Sequence, residues 1–336
     1  MNRVALNGLG RIGRIAVRRL GAGQPDLLSA VNDPAPLDQV IQLLRQDSIH
    51  GCSGLVIQGL TEDGQDYLLL GARRLPLFHE SDPAAIPFPA GTRLVMEASG
   101  HFTRRAAAAR HLKEGVTHVV ISAPSPDADL TVIAPVNGAE LDPLKHRVIS
   151  NASCTAHATA PMLKILDATF GLEAAGMSTV HVVTNDQRLL DGPHKDRRRG
   201  RAAFQSIIPT TSSAFAALHQ VLPGLPAAFD GVAIRVPTLS VNLVDLTATL
   251  RRDADKASLR RAFTEAASGP WRGLVALAEP HTVSCDMTGR EESVVMDLDL
   301  TLTLGPRFVK VFGWHDNETA YAARLCELVS DLAGRI

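Results

Sequence analysis

The sequence predicts two domains of different class, α/β followed by α+β. The first half alternates short apolar runs with helical stretches, the pattern of a parallel sheet covered by helices. The second half has one strong helix and then several long runs of alternating Thr, Val and Leu, the pattern of a mixed or antiparallel sheet. The length of 336 residues agrees with two domains of ordinary size. A chain of that size buries about 75% of the surface it exposes when unfolded.

Taken in order, residues 4–7 read as a strand and 11–20 as a helix, with Ile12, Ile15, Ala16 and Leu20 at helical spacing. Residues 27–31 form a second strand, stopped by Asn32-Asp33-Pro34. A helix follows over 37–44. Residues 55–57 and 67–70 flank Glu62-Asp63-Gly64 as a hairpin. A strand over 94–98, an Ala-rich helix over 104–113 and a strand over 116–122 continue the alternation. Beyond these come a helix over 155–170 and strands over 177–184, 232–236, 241–250, 294–304 and 308–314. Helices over 259–267 and 318–332 complete the set.

Composition excludes several function classes. The chain carries 34 Lys+Arg against 35 Asp+Glu, so it lacks the basic excess of a nucleic-acid or membrane-surface binder. Charged residues at 21% and hydrophobic ones at 45% are globular values. Aromatics are only 4%, so the cores must rest on Ala, Leu, Val and Ile. Four cysteines are too few for a disulfide framework and point to a reducing compartment. The opening Met1-Asn2-Arg3-Val4-Ala5-Leu6-Asn7-Gly8 lacks the apolar core of a secretory signal. No apolar run is long enough to span a bilayer.

Gly8-Leu9-Gly10-Arg11-Ile12-Gly13 fits G-x-G-x-x-G between the first strand and the first helix. Such glycines allow a tight turn, a close backbone approach to pyrophosphate and close helix packing, as in a Rossmann-type domain. The helix start offers free N–H groups and a positive dipole end to the anion. Asp33 stands 20 residues after Gly13, where a carboxylate accepts hydrogen bonds from the adenosine ribose. The alternative is a structural turn with a helix-capping Asp. A carboxylate at 33 with no Arg directly after it favours NAD over NADP, because a 2′-phosphate would meet like charge.

Ser150-Asn151-Ala152-Ser153-Cys154-Thr155 ends a short strand and begins a helix. A thiol at a helix start feels the dipole, which favours thiolate. Cys154 is therefore a candidate nucleophile, with a buried structural cysteine as the alternative. His181 lies 27 residues on and can return to face the helix start; alone it would read as a satisfied core histidine. A Cys–His pair with an NAD site suggests thiol-assisted aldehyde oxidation through a thioester.

The chain resembles a phosphorylating glyceraldehyde-3-phosphate dehydrogenase, with erythrose-4-phosphate dehydrogenase as a close sibling. The matching stretches include Asn7-Gly8-Leu9-Gly10-Arg11-Ile12-Gly13-Arg14, Asn32-Asp33-Pro34, Asp47-Ser48-Ile49-His50-Gly51, Ile121-Ser122-Ala123-Pro124 and Ser150-Asn151-Ala152-Ser153-Cys154-Thr155. They continue through Leu190-Asp191-Gly192-Pro193-His194-Lys195-Asp196, Ile207-Ile208-Pro209, Arg235-Val236-Pro237-Thr238 and Trp314-His315-Asp316-Asn317-Glu318. They run in family order from end to end.

The resemblance implies a Rossmann-type NAD-binding domain over 1–153, completed by the C-terminal helix 317–336, and a catalytic domain over 154–316. It implies Cys154 as nucleophile and His181 as general base. It puts Gly8, Gly10, Arg11, Ile12, Gly13, Asp33, Ser122, Asn317, Tyr321 and Pro193 at the NAD cofactor. It puts Thr184, Asp186 and Arg235 at the substrate phosphate, and Ser153, Thr155, Ser212, Ser213 and Arg199 at inorganic phosphate. Hydroxyl donors and guanidinium forks suit two phosphate groups. A homotetramer in the cytoplasm is expected, with a sugar phosphate and inorganic phosphate as small-molecule partners, and no metal, nucleic acid or membrane.

Several positions depart from the family pattern. Leu9 stands where the family usually has Phe, and Ala156-His157-Ala158 stands where it reads Thr-Asn-Cys. His157 lies three residues after Cys154 on the same helical side, either perturbing the thiol or phosphate subsite or simply packing. Ser212, Ser213, Ala216, Thr319 and Ala320 also differ from the usual residues. The competing readings are glyceraldehyde 3-phosphate oxidation with phosphate or another oxyanion such as arsenate as acyl acceptor, erythrose 4-phosphate oxidation with hydrolytic deacylation, and a weakly catalytic NAD-binding paralogue.

Overall fold

The computed structural model describes residues 3–113 and 115–336. Met1 and Asn2, which open the stretch read above for a secretory signal, lie outside the described residues. In chain order the elements are β1 (Arg3–Asn7), α1 (Arg11–Gly23), β2 (Leu28–Asn32), α2 (Leu37–Arg45), β3 (Gln46–Asp47), β4 (Gly51–Cys52), β5 (Ile57–Glu62), β6 (Gln65–Leu70), β7 (Arg73–Phe78), β8 (Thr92–Glu97), α3 (Arg105–Ala108), β9 (His118–Ile121), β10 (Leu130–Thr131), α4 (Ala134–Asn137) and β11 (Val148–Ser150). They continue with α5 (Cys154–Phe170), β12 (Leu172–His181), β13 (Ile208–Thr210), α6 (Ala214–Val221), β14 (Phe229–Arg235), β15 (Asn242–Leu250), α7 (Lys256–Ser268), β16 (Val275–Leu277), β17 (Val294–Thr303), β18 (Phe308–His315) and α8 (Thr319–Arg335). Two compact units result, Met1–Ala152 with Ala322–Ile336, and Ser153–Tyr321.

The first unit is built on a sheet of order β10-β11-β9-β8-β1-β2-β7-β6-β5. All pairs from β10 to β7 are parallel; β5 and β6 join antiparallel. The central strand β1 is buried on both faces. Val4 and Leu6 belong to one apolar cluster and Ala5 to another, as alternate side chains on opposite faces must. Leu325, Leu328, Val329 and Leu332 of α8 pack into the Val4–Leu6 cluster. The chain runs from β1 to β2 on one side and later to β8 on the other. Order therefore reverses at β1, and ligands of such sheets bind beyond the carboxyl ends of the strands at that reversal.

The hairpin expected at Glu62-Asp63-Gly64 is present, with Asp63 (φ 50°) and Gly64 (φ 77°) both left-handed as a tight primed turn requires. Two expectations change. The helix over 104–113 shrinks to α3 and a short 3-10 turn over Ala109–His111, because His111 is drawn inward onto Glu97. Strand β7 was hidden in the sequence by Pro76, whose missing N–H breaks the strand pattern; it pairs opposite Tyr67.

The second unit holds a mixed sheet of order β13-β14-β12-β15-β18-β17-β16. Helix α5 is buried along most of its length. The strand expected over 177–184 instead spans Leu172–His181 and leaves Thr184 in the following loop. The reason lies in its partner. The ladder to β15 stops at Val180 opposite Leu243, because Val241 is held left-handed (φ 69°) and turns the partner away. Among the described residues no helix is long and apolar enough to cross a membrane.

Candidate functional site

The first unit presents a backbone-built cradle after β1. Gly8 is left-handed (φ 96°), and a Cβ there would stand 2.4 Å from the Ser99 nitrogen. A Cβ on Gly13 would stand 1.9 Å from the Gly8 carbonyl oxygen. Gly10, by contrast, faces open space. It is the N-cap of α1, supplies no side-chain cap, and is followed by a first turn without acidic residues. The N–H groups of such a first turn suit an anion. Asp33 Oδ2 accepts from the Leu9 N–H at 2.6 Å and Oδ1 from the Ala35 N–H at 2.9 Å. Arg11 reaches Asp47 with both guanidinium nitrogens, Nη2 to Oδ1 at 3.0 Å. Burial pushes the Asp47 carboxyl up, but the Arg11 bond and the His50 and Ile49 N–H groups outweigh it and hold it far below the usual range.

Cradle, helix start and carboxylate together fit a dinucleotide. Gly8, Gly10, Gly13 and the backbone at Arg11 and Ile12 suit its pyrophosphate, and Asp33 its ribose. Ser122, at the end of β9, donates its N–H to the Glu97 carbonyl at 2.8 Å. Sequence reasoning missed Glu97. Its buried carboxylate accepts from Asn7 Nδ2 at 2.6 Å and from the Ser99 N–H at 2.8 Å, meets His111 Nε2 at 2.8 Å, and also accepts from Ser99 Oγ. It thereby holds the Ser99 backbone against Gly8. An acid ending a buried strand was the available signal.

The second unit gathers side chains instead. The chain enters α5 through Ala152, left-handed at φ 51°. Ser153 caps α5, its Oγ accepting from the Ala156 N–H at 3.1 Å. Cys154 is therefore the first helical residue. Its Sγ lies 3.9 Å from Nε2 of His181, the last residue of β12, and 4.0 Å from the Thr155 hydroxyl. His181 Nδ1 lies 2.8 Å from the Val182 carbonyl. Arg235, at the end of β14, brings Nη1 to 2.5 Å from that Nδ1 and donates to the same carbonyl at 3.0 Å.

Burial pushes the Cys154 thiol above its ordinary value, against the pull of the Thr155 bonds and the Arg235 charge. Burial and then the Arg235 charge push His181 well below its ordinary value. Desolvation thus disfavours the charged form of both groups, against the helix dipole expected to favour thiolate. Burial and the neighbouring Arg199 bring Arg235 down to about 10, so it remains charged at neutral pH.

The residues expected around phosphate lie in several loops. Arg199 donates to Asp186 at 2.6 Å, to the Thr210 hydroxyl at 3.0 Å and to the Thr211 carbonyl at 2.9 Å. Asp186, expected at the substrate phosphate, is paired with that guanidinium and can orient it. Thr184 is half-buried, its N–H on Gln187 Oε1 at 3.3 Å. Ser212 Oγ accepts from the Ala214 N–H at 3.2 Å. Ser213, exposed, is the N-cap of α6 and makes no side-chain cap bond. Pro193 is exposed in the loop after β12. Asn317 Oδ1 accepts from the N–H of the left-handed Val241 at 3.2 Å. Tyr321 is buried edge-on to His157, ring centres 5.7 Å apart. His157, 2% exposed, thus has a packing partner in Tyr321.

Residues 2–105 match the family profile Glyceraldehyde 3-phosphate dehydrogenase, NAD binding domain, and 153–317 match Glyceraldehyde 3-phosphate dehydrogenase, C-terminal domain. The chain is 39% identical over 334 residues to Glyceraldehyde-3-phosphate dehydrogenase of Priestia megaterium, covering 99% of this chain and 98% of the relative. It is 41% identical over 329 residues to the protein of that name from Streptomyces coelicolor, covering 97% of each. The protein of that name from Geobacillus stearothermophilus is 40% identical over 335 residues, covering 99% of this chain and 98% of the relative. The chain belongs to the glyceraldehyde-3-phosphate dehydrogenase family.

Proposed function

We propose that the chain catalyses NAD-dependent oxidation of glyceraldehyde 3-phosphate to an acyl phosphate, with Cys154 as nucleophile and His181 as general base. The observation that carries this reading is the 3.9 Å approach of Cys154 Sγ to His181 Nε2 beside Arg235. The Cys154 sulfur adds to the aldehyde carbon, and the thiol proton passes by way of His181 to the new hydroxyl, giving a hemithioacetal. His181 Nε2 then takes that hydroxyl proton as the carbonyl re-forms and a thioester results. NAD, when bound in the cradle, supplies the acceptor for the hydride that the carbon gives up. An oxygen of inorganic phosphate attacks the thioester carbon, the C–S bond breaks, and His181 returns its proton to the Cys154 sulfur. Thr184 and Arg235, oriented with Asp186 and Arg199, suit the substrate phosphate. Ser153, Thr155, Ser212, Ser213 and Arg199 suit the attacking one.

The domain reading follows: 1–153 with the helix 317–336 binds NAD through Gly8, Gly10, Arg11, Ile12, Gly13, Asp33 and Ser122, and 154–316 carries the chemistry. Asn317 and Tyr321 belong with the cofactor in this reading. The homotetramer is supported by Leu189, Leu190 and Ile207, which stand 67%, 76% and 70% exposed around Pro193 in one long loop. Four free cysteines suit the cytoplasm. A mass of four 35.9 kDa chains in light scattering is expected, and a monomer would contradict it.

The test of the activity is NADH formation with glyceraldehyde 3-phosphate and with erythrose 4-phosphate, each with and without phosphate or arsenate. Faster, phosphate-independent turnover of erythrose 4-phosphate would overturn the proposal.

A further inference from the structure

We propose that the buried Glu97 is a positioning residue for NAD: through Asn7, Asn32 and Ser99 it fixes the spacing between the pyrophosphate cradle and the ribose acceptor Asp33. The inference deepens the NAD-binding reading of the cradle and rests on it.

Three polar residues end three neighbouring strands of the parallel sheet. Asn7 closes β1, in register with Asn32 at the end of β2 and with Glu97 at the end of β8. Each stands two residues after a member of one apolar cluster, Ala5, Ala30 or Val95, so the three side chains share that face of the sheet. They are 4%, 1% and 2% exposed, and such buried polar groups need partners inside the protein. Backbone pairing ends at this row, with the Gly8 N–H on the Asn32 carbonyl at 2.8 Å and the Ala98 N–H on the Asn7 carbonyl at 2.7 Å. Beyond it β1 runs into the glycine turn, β2 into Asp33 and β8 into Ser99.

The direction of every bond along the row is fixed from its two ends. At one end the Glu80 N–H donates to Asn32 Oδ1 at 2.9 Å. Asn32 Nδ2 therefore points the other way, to the Glu80 carbonyl at 2.9 Å and to Asn7 Oδ1 at 2.7 Å. That leaves Asn7 Nδ2 to donate to Glu97 Oε2 at 2.6 Å. At the other end the Ser99 N–H donates to Glu97 Oε1 at 2.8 Å. A backbone N–H only donates, so neither asparagine amide can turn over and both oxygens of residue 97 have to accept. The Ser99 hydroxyl accepts the His101 N–H at 3.2 Å and gives its own hydrogen to Oε1, and His111 Nε2 stands 2.8 Å from Oε2. A carboxylate meets this demand. An amide at 97 would turn a hydrogen-bearing nitrogen onto Asn7 Nδ2.

The row joins the two parts of the cofactor site. The Ser99 backbone stands directly behind Gly8, where a Cβ would lie 2.4 Å from the Ser99 nitrogen, so Glu97 sets the wall of the pyrophosphate turn. Asn32 directly precedes Asp33 and is held from the far side by the Glu80 backbone. Pyrophosphate and ribose belong to one molecule, and a site that already has their spacing binds them without the cost of ordering it.

The test compares NAD with adenosine, which reaches only the ribose side. In Glu97→Gln, calorimetric titration should show NAD binding about tenfold weaker, the size of one buried donor left without an acceptor. Adenosine, followed by ligand-observed NMR, should bind as to the wild type, because Glu80 still holds Asn32. Asn7→Asp alone sets a second buried carboxylate against Glu97 and should weaken NAD at least as much. Combining Asn7→Asp with Glu97→Gln moves the charge one strand over. The new carboxylate then takes Asn32 Nδ2 on one oxygen and the new amide on the other. His111, whose Nδ1 has no hydrogen-bond partner among the described residues, accepts by shifting its hydrogen to that nitrogen. NAD affinity should return close to the wild-type value. Circular dichroism and Cys154 alkylation report whether each variant folds. Unchanged NAD binding in Glu97→Gln, an equal loss for adenosine, or no recovery in the double variant overturns the proposal. If the variants do not fold, amide exchange of the NAD-free wild type decides. A Ser99 N–H that exchanges as slowly as those of β8 supports the proposal, and one as fast as an exposed loop overturns it. A wild type that binds no NAD would instead sink the cradle reading.

Discussion

The cradle after β1 and the thiol site on α5 handle charged groups with different materials. The cradle is mostly backbone: three glycines, the N–H groups of one helical turn, and Asp33, all within 26 consecutive residues. The thiol site is mostly side chains, drawn from α5, β12, β14, β15, β18 and the loop after β12. A backbone site tolerates most side-chain changes but not a Cβ where the chain passes close to itself. A side-chain site depends on burial, which sets the protonation state of its thiol and imidazole.

Removing the nucleophile should separate the two most sharply. Cys154→Ser is expected to lower NADH formation by more than about 10³-fold, while calorimetric titration returns the wild-type NAD affinity. An equal loss of affinity would show that the sites are not independent. Replacing the base, His181→Gln, should lower kcat by about 10²-fold or more with KM nearly unchanged in steady-state assays.

The converse experiment strikes the cradle. Gly13→Ala places a Cβ 1.9 Å from the Gly8 carbonyl oxygen, with an expected loss of about 3 kcal/mol of stability in denaturant melts. NAD binding should disappear while Cys154 alkylation persists. If NAD still binds, the close approach of Gly13 to Gly8 does not matter as the geometry requires.

Acid should weaken the side-chain site first. Burial lowers His315 from 6.5 to about 3 and lowers His181 in the same direction. Below pH 6.5 the unfolded chain therefore binds more protons than the folded one, and stability falls as pH falls. The His315 contribution is about 1.4 kcal/mol per pH unit. His315→Gln should show a shallower decline of Tm between neutral and mildly acid pH, and an unchanged slope would contradict the burial argument. The smallest expected effect is that of Asp33→Asn. Its shortened acceptor capacity at Leu9 and at the ribose should cost about 1 kcal/mol of NAD affinity.

Legibility followed sequence distance. The cradle was readable because its parts are neighbours, and Asp33 falls at the strand end where the pattern wants it. Cys154 stood out at a helix start, and His181 was a candidate partner in the strand after it, which the family resemblance then singled out over a core histidine. Asn242 was invisible: it bonds Val182 across 60 residues and His315 across 73. Glu97 gave only the faint signal of an acid ending a buried strand, since its partners Asn7 and His111 lie 90 and 14 residues away. The early end of β12 depended on the left-handed Val241, a conformation that no β-branched residue announces.

Two fold classes, the glycine turn, its acid and the thiol at a helix start were determined by the sequence itself, because each is a matter of local spacing and residue type. Tertiary structure decided that burial opposes charge on both the thiol and the imidazole, that Asp186 pairs with Arg199, that His157 packs on Tyr321, and that Asn242 accepts from the Val182 N–H. Those outcomes depend on desolvation and on which distant groups meet, and both exist only once the chain has folded.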